Sequence, residues 1–161
     1  MADVIAILEQ MRASSGHAET TGLTNDVILD FASRDNTLIQ AIEEAGIRQG
    51  EFSNELLMMA ESDLVSHLQE DFVNFYAPAT INPYVAVAAR GPWIVTSHGA
   101  VVHDNGGYGM LGGGHGPEEI IDAMSRNHVM ANVMTPSISQ ARLAAALKKE
   151  LGHSRGSCPF S

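Results

Sequence analysis

Lysine is nearly missing from this chain: there are two in 161 residues, Lys148 and Lys149, adjacent to one another. The single cysteine, Cys158, can form no internal disulfide, and beside Pro159 it reads as an incidental thiol rather than a nucleophile. No apolar run approaches the roughly 18 residues that a membrane span requires. Residues 1–10 carry Asp3 and Glu9 where a signal peptide would be basic and then apolar. These absences lead to the expectation of a cytoplasmic protein with no membrane partner. Bases are scarce too, with 9 Lys and Arg against 19 Asp and Glu and a net charge of −10. The imbalance sits in residues 1–75, whose 14 acids face only 3 arginines, whereas residues 76–161 hold 5 acids and 6 bases. A polyanionic first half repels nucleic acid and anionic lipid alike. Solvated helix faces account for most of that charge.

What is present is enough apolar side chain, 45% of residues, for an ordinary core. Residues 2–12 suit a short helix that Ser14, Ser15 and Gly16 interrupt. Thr24 or Asn25 can cap a second helix, with Val27, Phe31, Leu38 and Ile42 on one face and Gly46 or Gly50 at its end. A third, over 53–75, places Leu57, Leu64, Leu68, Phe72 and Phe75 on one stripe. Pro78 and the Asn82-Pro83 pair then forbid helix continuation. Past them the period changes. Short β-prone runs at 84–88, 93–96 and 100–104 are separated by Arg90-Gly91-Pro92 and Ser97-His98-Gly99, which predicts a three-stranded antiparallel meander.

Residues 105–116 contain seven glycines in twelve, too many for helix or strand, so a shaped loop is expected. Pro117, Glu118 and Glu119 form a favourable first helical turn, with Ile120, Ile121 and Met124 as the expected buried face. Thr135-Pro136 opens a last helix on which Leu143, Leu147 and Leu151 recur every four residues. The fold class is therefore α+β: acidic N-terminal helices, a small meander, a Gly-rich loop and two helices. The expected division is an acidic helical extension over 1–76 and a second part over 77–161.

Most catalytic signatures are missing. Residues 107–112 match the G-x-G-x-x-G pattern formally, but the helix waits until Pro117 and no acid lies between Asp122 and Glu150 to hold a ribose. The seven histidines show no H-x-x-x-H spacing and no second ligand type nearby, so no metal is expected. There is no G-x-S-x-G elbow either. His115, inside the glycine loop, is the histidine with a positioned role, expected to hold the loop by bonding its backbone. The methionines at 58, 59, 124, 130 and 134 read as adaptable core filler.

Asp104, Gly106-Gly107, Gly114-His115-Gly116-Pro117 and the Ile120-Ile121-Asp122-Ala123-Met124 run follow one another in an order and spacing that resembles class III pyridoxal-phosphate-dependent aminotransferases. The resemblance covers about half the chain, from Tyr84 onward. It implies the N-terminal small-domain segment of a fold type I enzyme, a homodimer that moves an amino group from an amino donor to a keto acid or aldehyde. It also implies that Tyr108, Gly109, Met110 and Leu111 line the substrate pocket, and that Gly106, Gly107, His115 and Pro117 shape the loop. Transamination needs a desolvated lysine, whereas Lys148 and Lys149 complement a helix C-terminus in solvent. No catalytic residue is therefore assigned. The cofactor is pyridoxal phosphate in the complete enzyme, whose binding residues are expected outside this chain, so that the 161 residues read as an inactive fragment. The competing expectation is a non-enzymatic interaction module built on the acidic helices.

Overall fold

A computed structural model describes residues 2–73, 75, 77–105, 112–127 and 134–151. The chain divides into two compact units, residues 1–121 and 122–161. The first holds helices α1 (Ala2–Ala13), α2 (Asn25–Ala32), α3 (Asn36–Gln49), α4 (Asn54–Leu57) and α5 (Glu61–Gln69), followed by strands β1 (Ala86–Arg90), β2 (Trp93–Thr96) and β3 (Val101–His103). Helix α6 (Glu118–Ser125) begins in the first unit and ends in the second, which contains α7 (Ile138–Leu151).

The strands form the expected antiparallel meander in the order β1-β2-β3. Ala88, Val95 and Val101 lie in one cross-strand row, and Arg90, Trp93 and His103 in the next but one. Alternation puts both rows on the same face of the sheet. Ala88, Trp93, Val95 and Val101 on this face join Val4, Leu8 and Met11 of α1, Ile28 and Ala32 of α2, and Leu38, Ala41, Ile42 and Ala45 of α3 in a single core. Residues on both sides of position 76 thus build the same interior. Helix α3 is central to it, packed on α1 and across β1 and β2.

Two of the expected helices are interrupted. The run from Asn25 to Gln49 breaks after Ala32, because Asp35 takes extended backbone angles and caps α3 by accepting from the Thr37 amide at 2.9 Å. The break moves the buried face of α2 to Ile28 and Ala32, leaving Val27 only half-buried. Gly46 stays inside α3, and Gly50 is its C-cap. The third run divides into α4 and α5 and ends at Gln69, so Phe72 and Phe75 lie beyond it and are exposed.

Buried polar side chains link the helices to one another and to the β2-β3 turn. Gln49 is buried and donates through Nε2 to the Met11 carbonyl at 3.0 Å and the Ser97 carbonyl at 2.7 Å. His98 is buried with Nε2 3.0 Å from the Met59 carbonyl and Nδ1 3.0 Å from Ser97 Oγ. Glu61 is buried as well, and its Oε2 accepts from the amides of Glu19 at 2.8 Å and Thr20 at 2.6 Å. These bonds tie residues 17–20 and the β2-β3 turn to the helices. They satisfy Gln49 Nε2, the His98 ring and Glu61 Oε2, groups that would otherwise each cost about 1–3 kcal/mol to bury, while Glu61 Oε1 and Thr20 Oγ1 are buried with no hydrogen-bond partner among the described residues.

Helix α6 presents Ile120, Ile121 and Met124 on its exposed surface rather than on a buried face. Ile138 and Leu143 of α7 are exposed too. No described helix is long and apolar enough to cross a membrane.

Candidate functional site

The glycine loop leaves the end of β3 and returns beside the β1-β2 turn. Gly91 takes φ +53 at that turn, a conformation open to glycine at little cost. Its amide donates to the His115 carbonyl at 2.9 Å, and the His115 amide donates back to the Gly91 carbonyl at 2.7 Å. This reciprocal pair, an isolated antiparallel bridge, fixes the backbone where the loop returns.

Side chains close the loop a second time. His115 Nε2 lies 2.9 Å from Asp104 Oδ2, joining the residue after β3 to the residue where the loop ends. The expectation for this ring was a bond to loop backbone; the ring meets a carboxylate instead, and the backbone contacts come from the peptide of His115 itself. Asp104 is held in turn by its amide, which donates to the Pro92 carbonyl at 2.7 Å. Pro117 also has a defined place, since its carbonyl accepts from the amides of Ile120 and Ile121 as α6 starts. Of the expected site residues, His115 and Pro117 are therefore brought to one end of the sheet. Gly106, Gly107, Tyr108, Gly109, Met110 and Leu111 lie outside the described residues.

Tyr84, just before β1, belongs to the same neighbourhood. Its phenol is pushed above the ordinary 10.0, first by burial and second by the negative charge of Asp104. Tyr84 also borders a groove of about 570 Å³ whose floor is Val101, Val102 and His103 and whose far wall is Thr20, Gly22 and Leu23. That wall is pinned to the sheet by the Leu23 amide, which donates to the Val101 carbonyl at 2.8 Å. Gly22 is required there: it has φ +63, and a Cβ would come within 2.9 Å of the Val101 backbone. A groove of this volume is in the range that small molecules occupy. Tyr84 is among the residues that line it, together with Glu19 and His103, whereas Asp104, whose charge reaches the phenol, and His115, bonded to Asp104, are not.

Sequence reasoning placed Asp104 and His115 in one motif but did not pair them, and it gave Tyr84 no role in a site. The spacing of Asp104 and His115, eleven residues with a glycine loop between, has no periodic signature. Only closure of the loop pairs them.

Pyridoxal phosphate does not fit the described residues. Lys148 and Lys149 lie on exposed turns of α7, in solvent rather than in the enclosed pocket that Schiff-base formation requires. Among the described residues, no three histidine, cysteine, aspartate or glutamate side chains converge as a metal site would require.

No protein-family model, curated protein or solved structure matches the chain.

Proposed function

We propose that these residues are the front segment of a class III pyridoxal-phosphate-dependent aminotransferase, cytoplasmic and homodimeric, moving an amino group from an amino donor to a keto acid or aldehyde. The observation that carries the reading is the order Asp104, glycine loop, Gly114-His115-Gly116-Pro117, helix, following a three-stranded meander. The Asp104–His115 hydrogen bond supports it by giving two residues of the motif a shared structural task at the loop's base. In this reading residues 106–111 approach the substrate, and the lysine, the phosphate-binding donors and the carboxylate for the pyridinium nitrogen come from outside the 161 residues.

The test is made on the protein purified from its native source with antibodies raised against the acidic helices. A product several hundred residues long, with visible aldimine absorbance and borohydride-fixed cofactor on a lysine outside residues 1–161, is the expected result. Recovery of a 161-residue monodisperse species without cofactor overturns the proposal and leaves the helical interaction module in its place. Turnover of an amino acid by the purified 161-residue chain would also overturn it, because neither Lys148 nor Lys149 should be able to form the aldimine.

A further inference from the structure

We propose that the groove between α3 and the outer edge of β1 binds a small monocarboxylate with an apolar body. The groove has a volume of about 350 Å³ and lies wholly in the first unit. Its polar end is a row of three charges. Glu44 of α3 accepts from Arg90 Nε through Oε2 at 2.9 Å and from Arg48 Nη2 through Oε1 at 2.5 Å. One carboxylate is thus shared by two guanidiniums, leaving one positive charge uncompensated within the row. A guanidinium carries five N–H donors. Among the described residues, Arg90 and Arg48 have no acceptor other than Glu44.

Arg90 is built into place rather than draped on the surface. Strand pairing with Trp93 puts it on the helix-facing side of the sheet. Glu44 holds its Nε, and on another side Gly116, at φ +59, lies so close that a Cβ there would be 3.1 Å from Nη1. Gly116 is itself fixed through the Gly91–His115 backbone pair next to it. A positioned guanidinium loses little freedom on binding and presents its donors in a planar fork that matches a carboxylate. The other walls are Ala86, Ala88, Ala89 and Ile121, which reward a hydrocarbon body.

Charge selects the class of anion. A monoanion neutralises the Arg90–Glu44–Arg48 row, whereas a phosphate dianion overshoots it and is repelled by Glu44 and by the net charge of −10. This inference does not depend on the aminotransferase reading, because it uses only residues of this chain and no cofactor.

The test is titration of the isotope-labelled 161-residue chain with hexanoate, read from the backbone amide shifts of Ala86 to Arg90 and of Gly116. Saturable shifts confined to those residues are expected, with hexanamide and sulfate each at least about tenfold weaker, the loss that removing a charge-assisted hydrogen bond brings. Arg48→Ala, at a half-exposed position, should weaken hexanoate by a similar factor while leaving the Arg90–Glu44 pair in place. Glu44→Gln, which removes the competing carboxylate, should tighten binding and supplies the reading if the arginine variant does not fold. Absence of saturation overturns the proposal. So does equal binding of sulfate or hexanamide, or hexanoate affinity unchanged in both variants.

Discussion

Asp35 concentrates several constraints in one carboxylate. Its Oδ1 accepts from the Thr37 amide at 2.9 Å and the Thr37 hydroxyl at 2.6 Å, and its Oδ2 accepts from the indole of buried Trp93 at 2.7 Å. Burial by itself would raise its pKa; the bonds from Thr37, Trp93 and the Leu38 amide outweigh this and hold it below the ordinary 3.8. The stabilisation is therefore present above pH 3.8 and is lost as pH falls through the lower folded value. Asp35→Ala removes a helix cap and orphans a buried indole N–H, together about 2–4 kcal/mol by denaturant unfolding. Asp35→Asn should cost less at neutral pH and flatten the acid limb of the stability profile. An unchanged acid limb would show that another carboxylate controls it. Tyr84 titrates in the opposite sense. Its raised phenol keeps the folded state at full stability below pH 10.0 and loses that contribution as pH rises through the folded value. A tyrosinate absorbance titration, with Tyr84→Phe identifying the relevant step, should find the pKa brought only part-way back by Asp104→Asn, since burial is the larger cause. A complete return to 10.0 would assign the whole effect to charge.

At the scale of elements, the spacing of α1 from α3 depends on Gly46. A Cβ there would lie 2.7 Å from Ile7 Cγ2, closer than real side chains approach. Alanine is a better helix former by about 1 kcal/mol, but overpacking costs about 1–3 kcal/mol, so Gly46→Ala should be destabilising on balance. A double-mutant cycle with Ile7→Ala checks the cause: the Gly46→Ala penalty should vanish or reverse once the methyl is gone. Independent, additive effects would place the strain elsewhere. The breaks between α2 and α3 and between α4 and α5 belong to this scale as well. Apolar spacing over 25–49 and 53–75 gives helical periodicity, and Asp35 is a visible capping residue. Whether a cap interrupts a helix is decided by what its side chain meets, and Asp35 meets Trp93, 58 residues away. Met59 leaves helical structure where its carbonyl meets His98, and Glu61 just beyond it holds residues 19 and 20.

At the scale of the molecule, the acidic helices and the meander share one interior. Without residues 1–76 the sheet would expose Ala88, Trp93, Val95 and Val101, the larger of which contribute about 1.5–3 kcal/mol each when buried. A small sheet whose apolar face is left open to water loses the burial that offsets the entropy of ordering its strands. Residues 77–161 expressed alone should show solvent-exposed Trp93 emission and no cooperative unfolding transition, whereas in residues 1–161 Trp93 emission and helix circular dichroism should change together on unfolding. Cooperative unfolding of the 77–161 piece would refute this account of the core.

The local elements were legible in the sequence because their causes are local. Alternation with Gly-Pro and His-Gly turns specifies the meander, proline followed by acids opens α6, and four-residue leucine spacing marks α7. The glycine content of 105–116 likewise announces a loop, and His115 within it could be recognised as positioned. The structure decided everything that joins distant positions: the cover of the sheet by α3, the burial of Gln49, Glu61 and His98, the closure of Asp104 on His115, and the Arg90–Glu44–Arg48 row. Glu44 and Arg48 stand four apart on a helix and could have been paired by spacing, but Arg90 joins them across 46 residues. Hydrogen-bonding propensity and hydrophobic period act over a few residues. Which polar side chain finds which partner depends on chain reversals whose geometry exists only once the core has formed.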